Sequence, residues 1–457
     1  MKYQTLNPYS NELEYTYPFT TDVELENVLE RAHSAYVTMK NEDVKERSKV
    51  LLKVAQLFRE NKYKLATYMT HDMGKLIGES IFEVELCADI AEYYANNSDQ
   101  FTQDIKLENP LGTAYEIKQS TGIIMAIEPW NFPYYQIMRV FAPNYIIGNP
   151  IILKDSSICP TSAKSFADTV LKAGAIEGAL TNLFVNYDQV NKIIADKRVA
   201  GVCLTGSAKA GAIVASKAGE NLKKCTLELG GNDAFIVLND ANWDTLKKLV
   251  YHARLDNAGQ ICTASKRFIV MDSMYNDFLE LMKEEFSKAV MGDPMDQNTT
   301  LAPLSSTDAK RLLQNQVDTA INSGASIYWK DNQASKYEGQ FFDPTIITNI
   351  DSNNPVFDAE MFGPVAAVYH VKSEDEAIKL ANNSSYGLGG SIISQDLEHA
   401  QNIATKIETG MSFINDKWES ISELPFGGIK NSGFGKELGI DGFDSFVNKH
   451  LIFISKN

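Results

Sequence analysis

Between residues 22 and 100 apolar positions recur every three or four residues. The segments DVELENVLERAHSAYVTMK and VKERSKVLLKVAQLFRENKYKLATYMTHDMG carry this spacing most clearly, and it predicts amphipathic helices. From about residue 120 the period changes. TGIIMAIEPW, PIILKDS, ALTNLFVNY and VAGVCLTGS are short apolar runs that read as strands, and TSAKSFADTVLKAGA, YDQVNKIIAD and AKAGAIVASKAGENL between them read as helices. Strand–helix–strand repetition predicts a mostly parallel, doubly wound sheet. A second α/β unit begins near Glu228, with strands NDAFIVL, RFIVM, PVAAVYHV and GGSIIS and helices WDTLKKLVYHARL, YNDFLELMKEEFSKAV and EDEAIKLANN. MGDPMDQNTTLAP reads as a loop from its Asp, Pro, Asn and Thr content. LENPLGTAYEIKQS and the terminal HLIFIS read as strands that leave both sheets, and exposed strands of that kind invite pairing with another subunit.

Composition narrows the class. At about 100–200 residues per domain, 457 residues fit two or three domains. With 44% hydrophobic and 22% charged residues the chain can bury a large core, which excludes disorder as its main character. Lys plus Arg is 43 and Asp plus Glu is 59, a net charge of −16, and that surface argues against nucleic acid as a partner. The five cysteines, at 87, 159, 203, 225 and 262, form no CxxC pair and no Cys/His cluster. They predict neither a disulfide framework nor a metal site, and they suit a reducing compartment. MKYQTLNPYSNELEY has no apolar core behind Lys2, and no stretch approaches the length of a membrane span, so a cytoplasmic protein with no membrane association is expected.

Five places carry candidate chemistry. Cys262 sits in NAGQICTA, and Asn257, Gly259 and Gln260 predict a polar, flexible loop around it. A thiolate there is a nucleophile; a buried structural thiol is the alternative. The other four cysteines read as core. Glu228, in LELGGN, is either an exposed strand end or a partly desolvated general base. Asn131 is bracketed by Pro129 and Pro133, so its amide is an oxyanion donor or a turn cap. Thr205-Gly206-Ser207 through Gly211 follows a strand and opens a helix, a setting that favours phosphate, although the bare pattern is weak. Lys154, ending the strand PIIL, is a ribose or phosphate ligand or a solvated surface lysine.

The series Pro129-Trp130-Asn131-Phe132-Pro133, Gly206-Ser207 with Gly211, Glu228-Leu229-Gly230-Gly231-Asn232, Asn257 to Cys262, Glu360 to Val365 and Pro425 to Gly435 resembles the aldehyde dehydrogenase superfamily, in order, from about residue 5 to the C-terminus. That resemblance implies an α/β fold: a Rossmann-like cofactor domain (1–102 and 121–228), an α/β catalytic domain (229–428), a β oligomerisation arm (103–120 and 445–457), and a return segment (429–444). It implies a homodimer or homotetramer. It also implies that Cys262 attacks an aldehyde, that Asn131 and the Cys262 N–H hold the oxyanion, and that Glu228 activates the water that hydrolyses a thioester. Trp130, Lys154, Ser157, Gly206, Ser207 and Leu229 would hold the adenosine and pyrophosphate side of NAD or NADP, with Glu360 on the nicotinamide ribose and Phe362 beside the ring.

Departures refine the expectation. Family members often carry Lys-Pro-Ser-Glu where this chain has Lys154-Asp155-Ser156-Ser157. A hydroxyl in place of that carboxylate does not repel a 2′-phosphate, so NADP should be accepted. The stretch PYYQIMRVFAP is similar to the succinate-semialdehyde dehydrogenase branch, where an Arg at the position of Arg139 binds the distal carboxylate; a surface ion pair is the alternative, and Arg254 is a weaker candidate. Ala264 stands where some members have a second cysteine, so no local disulfide is expected. Oxidation of succinic semialdehyde to succinate is the leading expectation. A different apolar or amino-aldehyde substrate, acyl transfer to coenzyme A, and a non-catalytic NAD-binding oligomer remain as alternatives.

Overall fold

The computed structural model describes residues 2–456. Met1 and Asn457, at the outer limits of the expected cofactor domain and arm, lie outside the described residues.

The strand Ile123–Ile127 shows why the first sheet is buried on both sides. Its side chains alternate: Ile124 and Ala126 join the apolar cluster that contains helices Pro133–Ile147 and Pro160–Lys172, while Ile123 and Met125 join the cluster under helices Asp22–Met39 and Tyr187–Ala195. That two-sided burial is what a parallel sheet demands and what an uninterrupted apolar run supplies. On one side of this strand lie Ile151–Lys154 and then Leu180–Asn182; on the other lie Val199–Thr205 and Lys224–Glu228, all parallel. The short Gly433–Phe434 adds an antiparallel sixth strand beside Lys224–Glu228. The chain thus builds outward from Ile123–Ile127 and then returns to its other side. Such a reversal opens a crevice at the carboxyl ends of the strands, between Ile127 and Thr205.

The second sheet has seven strands in the order Ser326–Lys330, Thr345–Thr348, Val365–Val371, Arg267–Met271, Ala234–Val237, Gly390–Ile393 and Phe413–Ile414. All its pairings are parallel except that of Ser326–Lys330. Glu228 ends a strand of the first sheet and Ala234 begins the centre of the second, so the chain crosses between them in five residues. The functional loops therefore come from carboxyl ends of the first sheet and amino ends of the second.

The segments expected to leave both sheets pair with each other. Ile105–Asn109, Gly112–Ser120 and Val447–Ser455 form an antiparallel three-stranded sheet, and Leu451, Ile452, Phe453 and Ile454 on its outer strand are exposed. Several elements have no counterpart in the sequence reading: the N-terminal hairpin Tyr3–Leu6 with Leu13–Tyr17, the strands Ser326–Lys330 and Thr345–Thr348, and the helix Thr307–Asn322.

Helix Pro133–Ile147 carries the site into the interior. Proline at its first position costs no hydrogen bond there and fixes the helical φ. Gly148, at φ 96°, ends it in a conformation that glycine adopts without strain. All fifteen residues are buried, so the helix lacks the polar face that would mark it in the sequence.

Candidate active site

The turn bearing Cys262 is rigid, where the sequence predicts flexibility. Asn257 and Ala258 both have left-handed backbones, at φ 50° and 52°, and residues 257–260 are buried. A non-glycine residue in that region costs about 1–3 kcal/mol and persists only where surrounding contacts hold it. Those contacts are present. Gln260 Nε2 donates to the Asn257 carbonyl at 3.1 Å, and Gln260 Oε1 accepts from the Ser305 N–H at 2.9 Å. Lys266 Nζ donates to the Ile261 carbonyl at 2.8 Å and also to that of Cys262.

Asn131 is tied to the same turn. Its Nδ2 donates to the Gln260 carbonyl at 3.1 Å, and its own carbonyl accepts from Asn257 Nδ2 at 3.0 Å. The amide and the thiol, far apart in the sequence, thus share one hydrogen-bonded frame.

Cys262 is half-buried and lines a cavity of about 510 Å³ with Phe132, Tyr135, Trp418, Ser420 and Phe426. The thiol keeps a window on this cavity, yet its surroundings are dense. Burial pushes it up to about 12, against the opposing pull of Lys266 and Arg139. Of the remaining cysteines, Cys87, Cys159 and Cys203 are core, as expected; Cys225 is only half-buried, because its strand lies next to the sheet edge.

Glu228 is 2% exposed at the end of its strand. A Cβ at Gly427 would collide with its Oε1, so glycine there makes room for the carboxyl. Glu228 Oε2 has no hydrogen-bond partner, and burial, with Glu437 adding to it, holds the carboxyl well above the usual range against Arg139 and Lys436. A carboxylate whose proton affinity burial raises is a stronger base toward water.

Arg139 is not a free fork waiting for a carboxylate. Its side chain is 1% exposed, and Nε lies 2.7 Å from Glu437 Oε2. The guanidinium is sandwiched between the rings of Tyr135 and Phe426, at 4.6 and 4.5 Å. It also bears on Glu228 and the Cys262 thiol, which makes it the charge these two groups share. It stands in the cavity wall behind Tyr135: Nη1 donates to Tyr135 Oη at 3.4 Å, and Tyr135 Oη donates to Ser420 Oγ at 2.7 Å. Neither Glu437 nor Ser420 was marked by the sequence. Arg254 is excluded from the cavity altogether. It is fully buried and its guanidinium binds the carbonyls of Met361, Gly363 and Val365, so it shapes the loop carrying Glu360 and Phe362.

The expected cofactor residues gather at the crevice. Ser207 caps helix Ala208–Glu220, accepting from the Ala210 N–H at 3.3 Å, and Gly206 N–H donates to the Glu228 carbonyl at 2.9 Å. Leu229 packs on Gly211, where a Cβ would sit 2.7 Å from its methyl groups, so the helix approaches the strand closely. Lys154 Nζ donates to the Asp155 carbonyl at 2.9 Å and lies over the Tyr3 ring. Both carboxyl oxygens of Asp155 are buried without partners, and burial raises that carboxyl well above its ordinary value. The Ser157 carbonyl accepts from the Gln4 N–H at 3.0 Å. Trp130 and Phe362 meet edge to face at 5.7 Å. Glu360 Oε1 accepts from the Gly231 N–H at 3.0 Å, and a Cβ at Gly230 would collide with Oε2. An open helix N-terminus, a lysine, a hydroxyl and a glycine-cleared acid fit a dinucleotide. Among the described residues no helix is long and apolar enough to cross a membrane.

Comparison with known proteins agrees with this geometry. The model of the aldehyde dehydrogenase family matches residues 1–452. The chain is 43% identical to the NADP-dependent succinate-semialdehyde dehydrogenase of Deinococcus radiodurans, over 98% of this chain and 94% of that one. It is 36% identical to a probable enzyme of the same description from Synechocystis over the full length of both. Among solved structures, succinic semialdehyde dehydrogenase from Streptococcus pyogenes in complex with NADP+ is 56% identical and superposes with a TM-score of 0.98, covering 99% of this chain and all of that one. The betaine aldehyde dehydrogenase of Staphylococcus aureus in complex with NAD+ is 28% identical, with a TM-score of 0.95 over 100% of this chain and 94% of that one.

Proposed function

The chain belongs to the aldehyde dehydrogenase family, and we propose that it oxidises succinic semialdehyde to succinate with NADP. Nicotinamide, when bound, supplies the hydride acceptor. The remaining chemistry belongs to the chain's own side chains.

Cys262 Sγ adds to the aldehyde carbon, and the carbonyl oxygen becomes an oxyanion. The Asn131 amide and the Cys262 N–H stabilise it. Loss of hydride from that carbon leaves a thioester on Sγ. Glu228 takes a proton from water, the resulting hydroxide attacks the thioester, and the carboxylic acid departs as the thiol is restored. The observation that carries this reading is the frame around Asn131 and the nucleophile turn, with its hydrogen bonds of 3.1 and 3.0 Å. Preorganised donors are worth most when they cost nothing to align during the reaction.

The substrate assignment rests on the relatives and finds support in the cavity wall. Ser420 Oγ accepts from Tyr135 and keeps its own proton to donate to a distal carboxylate. Lys417 supplies positive charge at the wall, and Arg139 holds the Tyr135 hydroxyl that bonds Ser420. For the cofactor, Lys154 and a hydroxyl at Ser157 in place of a carboxylate favour a 2′-phosphate.

The same reading assigns the cofactor domain to 1–102 and 121–228, the catalytic domain to 229–428 and the arm to 103–120 and 445–457. The exposed apolar strand Val447–Ser455 supports a homodimer or homotetramer, and five free cysteines suit the cytoplasm. Initial rates with succinic semialdehyde, propanal and an amino-aldehyde, each with NADP and NAD, test the assignment. A preference for another aldehyde would overturn it.

A further inference from the structure

Helix Ile77–Asn96 contributes Gly78, Glu79, Phe82 and Leu86 to the wall of the Cys262 cavity, and two of its carboxylates reach the backbone of the two halves of the site. Glu79 Oε1 accepts from the Asn257 N–H at 2.7 Å, at the left-handed corner of the nucleophile turn. One helical turn later, Glu83 Oε1 accepts from the N–H groups of Tyr134 and Tyr135 at 2.8 and 3.0 Å. Those N–H groups open the helix that follows Asn131 directly. Glu83 is itself fixed: it is 1% exposed and its Oε2 is ion-paired with the buried Lys75, whose ammonium lies 3.6 Å from the centroid of the Phe132 ring.

Side chains four residues apart on a helix stand about 5–6 Å apart on one face, at a spacing the backbone fixes. The two anchored loops come from different sheets. Asn131 follows the central strand of the first, and Asn257 precedes a strand of the second. Nothing local to either loop sets their separation. The Asn131–Gln260 and Asn257–Asn131 hydrogen bonds join them directly, and the helix braces both from outside.

We propose that Glu79 and Glu83 are positioning residues, and that helix Ile77–Asn96 is a strut that sets the Cys262 turn against the Asn131 amide. This rests on the roles given above to Cys262 and Asn131. A displacement of about 1 Å between reacting groups costs on the order of a hundredfold in rate, so the strut acts on the acylation step. None of the residues proposed to hold the cofactor lies on this helix, so KM for NADP is not expected to change.

The test is the first-turnover burst of reduced cofactor, with KM for NADP measured in parallel. Glu79→Ala removes the anchor, and the burst rate should fall about ten- to a hundredfold with KM for NADP unchanged. Glu79→Gln keeps an oxygen for the Asn257 N–H and should recover most of the loss. For the second anchor, Lys75→Met with Glu83→Gln removes the buried charges but keeps an acceptor and should retain the burst. Lys75→Met with Glu83→Leu should lose it. A wild-type burst in Glu79→Ala overturns the strut, as does a loss in Glu79→Gln equal to that in Glu79→Ala. Cys262→Ala, run alongside, separates the two readings. A burst that survives there overturns the nucleophile assignment and the strut with it. A burst lost there but unchanged in Glu79→Ala overturns the strut alone.

Discussion

Arg139 Nε lies 2.7 Å from Glu437 Oε2, and both side chains are almost wholly buried. Glu228 and Glu128 lie in the field of the same guanidinium, so one cation balances a group of interior carboxyls. Removing one partner of a buried pair costs about 3–5 kcal/mol, because the other is left uncompensated. Arg139→Leu should therefore lower the thermal midpoint and reduce turnover of succinic semialdehyde and propanal alike, and Arg139→Leu with Glu437→Leu should recover stability. Ser420→Ala, at the cavity wall, should instead raise KM for succinic semialdehyde more than for propanal. Selective loss of succinic semialdehyde turnover in a fully stable Arg139→Leu protein would mean that the arginine meets the substrate directly.

The proposed place of Ser157 beside the adenosine ribose carries a prediction about cofactor choice. Ser157→Glu sets a carboxylate against the 2′-phosphate, and a like-charge contact costs a few kcal/mol, so the NADP/NAD ratio of kcat/KM should fall about tenfold or more. Equal losses with both cofactors would contradict the role of Ser157.

The two titrating groups of the mechanism are displaced in the same direction. Burial carries the Cys262 thiol up to about 12 and holds Glu228 well above the usual carboxylate range. Each acts in its deprotonated form, so both steps should accelerate as pH rises. Iodoacetamide alkylation of Cys262 in the cofactor-free protein should climb about tenfold per pH unit from 7 to 9, following the thiolate fraction. A plateau within that range would show a thiolate already formed at neutral pH.

The outer strand of the three-stranded sheet predicts assembly. Leu451, Ile452, Phe453 and Ile454 are all exposed on the edge strand, which pairs on one side only, with Gly112–Ser120. Light scattering should find a dimer or tetramer for the intact chain and a monomer once residues 447–456 are deleted. A monomeric intact chain would contradict the assigned arm.

The chain made its strands legible wherever both faces are buried. Ile123–Ile127 and Arg267–Met271 are uninterrupted apolar runs, and the sequence marks them. Ser326–Lys330 lies at a sheet edge with exposed residues and leaves no such trace. Cys262 and Glu228 stand out because each lies beside an apolar run, next to polar residues or glycines, and Asn131 because Pro129 and Pro133 bracket it. Their surroundings do not. Asn257 and Gln260 look like flexible loop residues until Ser305, Glu79 and Asn131 are seen to hold them. Arg139 looks like a ligand until Glu437 closes on it, and only the fold brings those two together.

The central claim is a covalent bond at one sulfur. Glu228→Gln protein, mixed with NADP and succinic semialdehyde and quenched within one turnover, should carry one acyl group on Cys262 by intact mass and peptide mapping, with one equivalent of reduced cofactor formed and slow release thereafter. Turnover without a covalent adduct, or full activity in Cys262→Ala, would contradict the account.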